Sequence, residues 1–252
     1  MCRLLGWTTR VPTTVSDLLG EADLADFTAL SALHRDGWGV ARSTRRRVVV
    51  HKRPDAARTS PAFDRWARRR RTDMGLVHLR RATLGLRVDP ANTHPFTDGR
   101  MAFAHNGSIR PPAALDGLLS DSSRRRRRGD TDSERYFLAV SQLLRDGASP
   151  EEALLTTVDR IAATTPFTSL NCLLLTPERL FALCRFDPAS REDDDDPEYY
   201  NLRYRVTPGA VVVASSGWGR EWQELADGEL LVVRRRTLET TIVTSESLRV
   251  PA

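Results

Sequence analysis

The sequence predicts an α+β fold built in layers. Three observations carry this. Short apolar runs with strand-like alternation dominate the first third of the chain. A pair of amphipathic helices follows, and strand-like runs then return to the C-terminal end. Strands, paired helices and strands again point to layered α+β packing rather than βαβ winding. No linker forces a boundary, so residues 2–252 are expected to form a single domain.

The leading strands are expected at Arg3–Thr8, Gly37–Ala41, Val48–Lys52, Gly75–Arg80 and Met101–His105, with a helix over Pro61–Arg71 between the third and fourth. Ser122–Asp130 is polar and basic and reads as a loop. In Ser133–Arg145, Phe137, Val140, Leu143 and Leu144 recur at helical spacing, and Asp132 stands where a carboxylate caps exposed N–H groups. The next helix opens with Ser149 as cap and Pro150 in its first turn, and Leu154, Leu155, Val158 and Ile161 form its inward stripe. Strands are expected again at Ser169–Leu175, Leu180–Phe186, Tyr200–Val206, Ala210–Ser215, Leu230–Arg235 and Thr240–Thr244, with Arg191–Glu198 as an acidic surface loop.

Composition narrows the function. An apolar content of 40% supports a packed core, and no apolar run reaches the roughly 20 residues that span a bilayer. The N-terminal stretch lacks the apolar length of a secretory signal. Three cysteines, Cys2, Cys172 and Cys184, make no disulfide framework, so a reducing, cytoplasmic setting is expected. The net charge of +5 opens a nucleic-acid-binding reading in which Cys2 is inert. The arginines, however, cluster in blocks (Arg45–Arg47, Arg68–Arg71, Arg124–Arg128) typical of solvated loops and helix ends, so a nucleic-acid partner is not expected. No His-Glu-x-x-His or paired Cys-x-x-Cys string is present, and neither a metal nor a cofactor is expected.

Cys2 follows the initiator Met, and cysteine is small enough for an aminopeptidase to remove that Met. The freed α-amine, with a reference pKa of about 7.7–8.0, is a general base on the same residue as the thiol. An N-terminal nucleophile acting on an amide needs oxyanion donors, a cation for a substrate carboxylate and an anion for a substrate amine. Asn106-Gly107, after the strand Met101–His105, offers two N–H donors. His78-Leu79-Arg80-Arg81-Ala82-Thr83 ends another strand, where alternation puts Arg80 and Arg81 on opposite faces. A guanidinium there suits a carboxylate. Asp132 at a helix start can hold an ammonium. The strings Asp36-Gly37-Trp38-Gly39 and Asn92-Thr93-His94-Pro95-Phe96 name no chemistry by themselves.

Together, and in this order, MCRLLGW, DGWG, R-x-A-T, THPF, AHNG and an acidic helix start resemble the class II glutamine amidotransferases, which are N-terminal-nucleophile hydrolases. The resemblance covers roughly the first 135 residues and looks closest to the stand-alone branch that includes the γ-glutamyl amidohydrolase of ergothioneine biosynthesis. It implies a four-layer αββα sandwich. Cys2 matches the nucleophile, Asn106 and Gly107 the oxyanion hole, Arg80 the arginine for the α-carboxylate, and Asp132 the aspartate for the α-ammonium. Thr83 and His94 join them as substrate-binding candidates, although the histidines His78, His94 and His105 match positions that are structural in the family. Two departures stand out: Leu84 replaces a histidine of synthase-fused members, and Arg124–Arg128 has no counterpart. The expected activity is hydrolysis of the γ-amide of glutamine or of a γ-glutamyl metabolite, a small-molecule substrate. The fold is expected to use up the chain without a synthase domain. A subunit delivering ammonia to a separate synthase partner is the alternative; self-sufficient hydrolysis is favoured because similar stand-alone members work that way.

Overall fold

The computed structural model describes residues 2–83, 85–190, 199–216 and 221–249. In chain order the elements are β1 (Arg3–Thr13), α1 (Val15–Leu19), α2 (Glu21–Ala29), β2 (Trp38–Ser43), β3 (Val48–Arg53), α3 (Pro61–Arg69), β4 (Thr72–Leu79), β5 (Phe96–Thr97) and β6 (Ala102–Asn106). They continue as α4 (Asp121–Arg124), α5 (Asp132–Arg145), α6 (Pro150–Thr164), β7 (Asn171–Leu175), β8 (Arg179–Leu183), β9 (Arg203–Val206), β10 (Ala210–Ala214), β11 (Gln223–Glu224), β12 (Leu230–Arg234), β13 (Thr240–Val243) and α7 (Ser245–Arg249). The strands form a seven-stranded sheet, β11-β9-β10-β1-β4-β2-β3, and a six-stranded sheet, β13-β12-β8-β7-β6-β5, with antiparallel neighbours throughout.

The period-two alternation of each strand decides which layer its side chains build. In β1, Leu4 enters the core between the two sheets, whereas Leu5 and Trp7 face helices α1–α3. In β4, Met74 and Leu76 point between the sheets, and Val77 and Leu79 point to the helices. In β6, Ala102 and Ala104 point between the sheets, while Phe103 packs against α5 and α6 with Tyr136, Val140 and Leu154. Helices, sheet, sheet and helices therefore stack as the expected four-layer αββα sandwich.

Several elements differ from the sequence reading. β1 runs on to Thr13, with its register against β4 shifting between Thr8 and Thr13. Helices α1 and α2 were not expected: they are short and bury only Val15, Leu19, Leu24 and Phe27, too sparse a stripe to stand out by period. Helix α5 begins at Asp132, and its cap is Thr131, whose hydroxyl accepts from Glu134 N at 3.0 Å; Asp132 is the first helical residue rather than the cap. α4 adds one turn inside the expected loop Ser122–Asp130. Ser149 caps α6 in a reciprocal capping box with Glu152. The acidic segment Arg191–Glu198 lies outside the described residues.

At the start of β4, away from Arg80, a largely buried ion pair clasps the sheets together. Arg235, just past β12, donates to both carboxylate oxygens of Asp73 at 2.9 and 2.7 Å, and its remaining nitrogen donates to the carbonyls of Thr44 and Pro177, each at 3.0 Å. Removing one partner strands a largely buried charge, which costs up to about 3–5 kcal/mol. Asp73→Ala is therefore expected to lower the unfolding free energy by that amount in a urea titration, and a change under 1 kcal/mol would show that the clasp contributes nothing.

Candidate active site

The alternation that builds the core also delivers the site. Cys2, Arg80 and Asn106 extend the even-numbered series of β1, β4 and β6, so each stands at a strand end on the side between the sheets. All three are buried. Arg3 pairs with Leu79 across the β1–β4 ladder, which brings Cys2 alongside Arg80. The Cys2 thiol donates to the Arg81 carbonyl at 3.7 Å. Burial pushes this thiol above the usual cysteine range, with Arg80 acting against the shift and Asp132 adding to it.

Arg80 is held by its neighbours rather than by a carboxylate. Its Nη1 donates to the Asp36 carbonyl at 3.3 Å and its Nη2 to the Arg87 carbonyl at 3.2 Å, and no acidic side chain pairs with it among the described residues. The Asp36 carboxylate accepts from Ala82 N at 2.8 Å, the Gly37 carbonyl accepts from Arg80 N at 2.8 Å, and Asp36 N donates to the Arg80 carbonyl at 3.0 Å. Asp36-Gly37-Trp38-Gly39 thus acts as a brace. Trp38 anchors it on Phe63, and Gly39 is required because a Cβ there would run into the His94 carbonyl.

Asn106 ends β6 opposite Asn171. Its side-chain nitrogen and oxygen are both buried, and neither has a hydrogen-bond partner among the described residues. The neighbouring Asn171 amide is bonded at both polar atoms, donating to Tyr200 O at 2.6 Å and accepting from Arg185 N at 2.7 Å. A buried unsatisfied amide costs about 1–3 kcal/mol, so the free Asn106 amide is set apart from its surroundings. A Cβ at Gly107 would collide with the Ser169 carbonyl, so only glycine lets the chain pass beside Asn106.

Asp132 links β6 to α5. Its Oδ2 accepts from Ile109 N at 2.7 Å, leaving that oxygen a further lone pair, and its Oδ1 accepts from Ser133 N at 2.8 Å with the Ser133 hydroxyl also within reach at 3.3 Å. His105 joins the same strap. Its Nε2 faces the Ser169 carbonyl at 2.9 Å and so carries the proton; its Nδ1 lies 2.9 Å from Ser133 Oγ and accepts from it. Burial holds His105 below its ordinary pKa, which fits this neutral form.

His94 and Thr83 stand apart. His94 is buried with its ring stacked on His78, centroids 4.1 Å apart, and both its ring nitrogens lack a partner among the described residues. His78 Nε2 donates to the His105 carbonyl at 3.3 Å, steadying the peptide that precedes Asn106. Thr83 is exposed on the loop after β4, and Leu84 lies outside the described residues. The brace Asp36 and the locked Asn171 were missed by sequence reasoning. The glycines around Trp38 were the only local signal for the first, and nothing local marks the second.

A family model of the class-II glutamine amidotransferases matches residues 1–251. The chain belongs to this family. Class II glutamine amidotransferases are enzymes acting on the amide of glutamine, and this chain is one of them by sequence and by fold. A Haemophilus influenzae protein described as a glutamine amidotransferase is 28% identical over 79% of this chain and 73% of its own length. A class-II glutamine aminotransferase domain protein from Silicibacter pomeroyi shares the fold with a TM-score of 0.66 at 22% identity, over 96% of this chain and 99% of that one. The Bacillus subtilis glutamine phosphoribosylpyrophosphate amidotransferase shares it at 0.64 and 15% identity, over 96% of this chain but 49% of that protein. The N-terminal-nucleophile hydrolase sandwich is thus the fold of this amidotransferase. Among its described residues no helix is long and apolar enough to cross a membrane.

Proposed function

We propose that the protein hydrolyses the γ-amide of glutamine or of a γ-glutamyl metabolite through a thioester on Cys2, after removal of Met1. The freed α-amine takes the thiol proton and Sγ attacks the γ-carbonyl. The Asn106 side-chain amide and the Gly107 N–H receive the oxyanion. The amine then returns the proton to the departing nitrogen. Water attacks the thioester with the same amine as base, releasing glutamate and restoring the thiol. Arg80 binds the α-carboxylate and Asp132 the α-ammonium, turning binding into orientation. Thr83 and His94 complete the substrate-binding set, His94 from behind the site rather than at an open surface.

The observation that carries this reading is the buried Asn106 amide, unpartnered at a strand end on the same inter-sheet side as Cys2 and Arg80. Intact-mass measurement after treatment with 6-diazo-5-oxo-norleucine, a glutamine-like alkylator, tests it. The expected product lacks Met1 and carries one adduct, and the adduct is absent from Cys2→Ala. Retention of Met1 in active protein would overturn the mechanism. A panel of γ-glutamyl amides assayed for glutamate release then separates free glutamine from larger substrates.

Arg80 gives a second test. Lysine keeps the charge but loses the two-pronged donor geometry. Arg80→Lys is expected to raise KM at least about tenfold with a smaller effect on kcat, as for a group that binds ground state and transition state alike. An unchanged KM would remove Arg80 from substrate binding.

A further inference from the structure

The block Arg124–Arg128 plays no part in the amide chemistry, yet it is not a solvated tail. After α4 it borders a cavity of about 830 Å³, within the size range of small-molecule sites. Lys52, Arg125, Arg126, Arg127, Arg128 and Arg145 line it, against only two carboxylates, Asp98 and Glu134. Both carboxylates are already engaged. Glu134 accepts from the backbone N–H groups of Arg128 and Gly129 at 2.9 and 2.7 Å, and Asp98 Oδ1 accepts from those of Arg100 and Met101 at 2.9 and 3.1 Å.

The cations are largely uncompensated. Arg127 reaches Asp116 at 3.5 Å, and Arg145 donates to the hydroxyls of Ser141 and Ser123, each at 2.8 Å. The guanidinium groups of Arg125, Arg126 and Arg128 have no partner among the described residues. Lys52 Nζ, half-buried over the Phe96 ring, donates to the carbonyls of Thr93 and Pro95 at 2.6 and 3.4 Å and pairs with no carboxylate. Like charges gathered around one concavity focus a positive field that an anion relieves.

We propose that this cavity is a binding site for a small polyanion bearing phosphate groups or clustered carboxylates, separate from the amide site but sharing a wall with it. The wall is the segment from Arg87 to Asn92. The Arg87 carbonyl accepts from both Arg80 Nη2 and Asn92 Nδ2, at 3.2 and 3.3 Å. Asn92 Oδ1 accepts from Asp130 N at 2.8 Å, close behind Arg128, and Pro90 and Ala91 face the cavity. Guanidinium groups bind phosphate and carboxylate alike by paired hydrogen bonds, which is why the two ligand chemistries are named together.

Titration calorimetry of the full chain with inorganic pyrophosphate and with citrate, at constant ionic strength, tests the site. Saturable one-to-one binding of at least one probe is expected, and the tighter probe tells phosphate from carboxylate. The exposed double variant Arg126→Ser/Arg128→Ser is expected to weaken binding at least about tenfold. Arg65→Ser/Arg69→Ser, on a separate basic surface beside α3, is expected to leave it unchanged. No saturable binding, or equal loss in both double variants, would each overturn the proposal.

Discussion

Cys2→Ala protein is expected to release no glutamate above the uncatalysed rate, while its melting temperature stays within a few degrees of the parent. The thiol is the only group in the proposed route that forms a bond to the substrate, so no neighbour substitutes for it. Its burial sharpens the pH dependence. A thiol pushed above the usual cysteine range is not ionised at neutral pH, and attack requires that the α-amine take its proton. Turnover should therefore fall as pH drops through the amine's pKa, about 7.7–8.0 in reference peptides. A Cys2→Ala protein that turns over at the parent rate would eliminate the cysteine mechanism altogether.

Asn106→Ala is expected to lower kcat by about 100- to 1000-fold, the usual cost of one oxyanion donor, with little change in KM. Its effect on stability should have the opposite sign. The Asn106 amide is buried with neither polar atom satisfied, so its removal relieves a desolvation penalty and the melting temperature should hold or rise. Both readouts are needed. A residue retained for packing would lose stability on truncation, whereas a residue retained for transition-state charge loses only rate. A large loss of stability with unchanged kcat would place Asn106 in the scaffold.

The strand ends that carry the candidate residues were legible in the sequence, whereas much of the scaffold behind them was not. Cys2, Arg80 and Asn106 each end an alternating apolar run, and alternation alone fixes their common side once the runs pair. Their order along the chain matches the family that claims them. What was hidden depends on partners distant in sequence. Nothing near Asp73 announces Arg235, and nothing near Asn171 announces Tyr200 or Arg185, because tertiary packing chooses these pairs. Helices α1 and α2 were hidden for another reason: both are so short that few buried positions mark their period. Asp132 was read as the residue just before α5 and its cap, whereas Thr131 is the cap and Asp132 is the first helical residue, bonding Ile109 across to the β6 exit.

The position of β1 has a consequence for the order of events on the ribosome. This strand is synthesised well before its neighbour β10, yet it lies inside its sheet, where Ala214 of β10 pairs with Leu5. At about 5–20 residues per second, roughly ten to forty seconds separate the emergence of those two partners. During that interval the chain's first residues lack one of the two strands that enclose them. Under the proposed mechanism, an aminopeptidase can trim Met1 in that window, before the nucleophile it uncovers is shut into the folded sheet. Trimming and burial of Cys2 would then follow the order in which β1 and β10 are made.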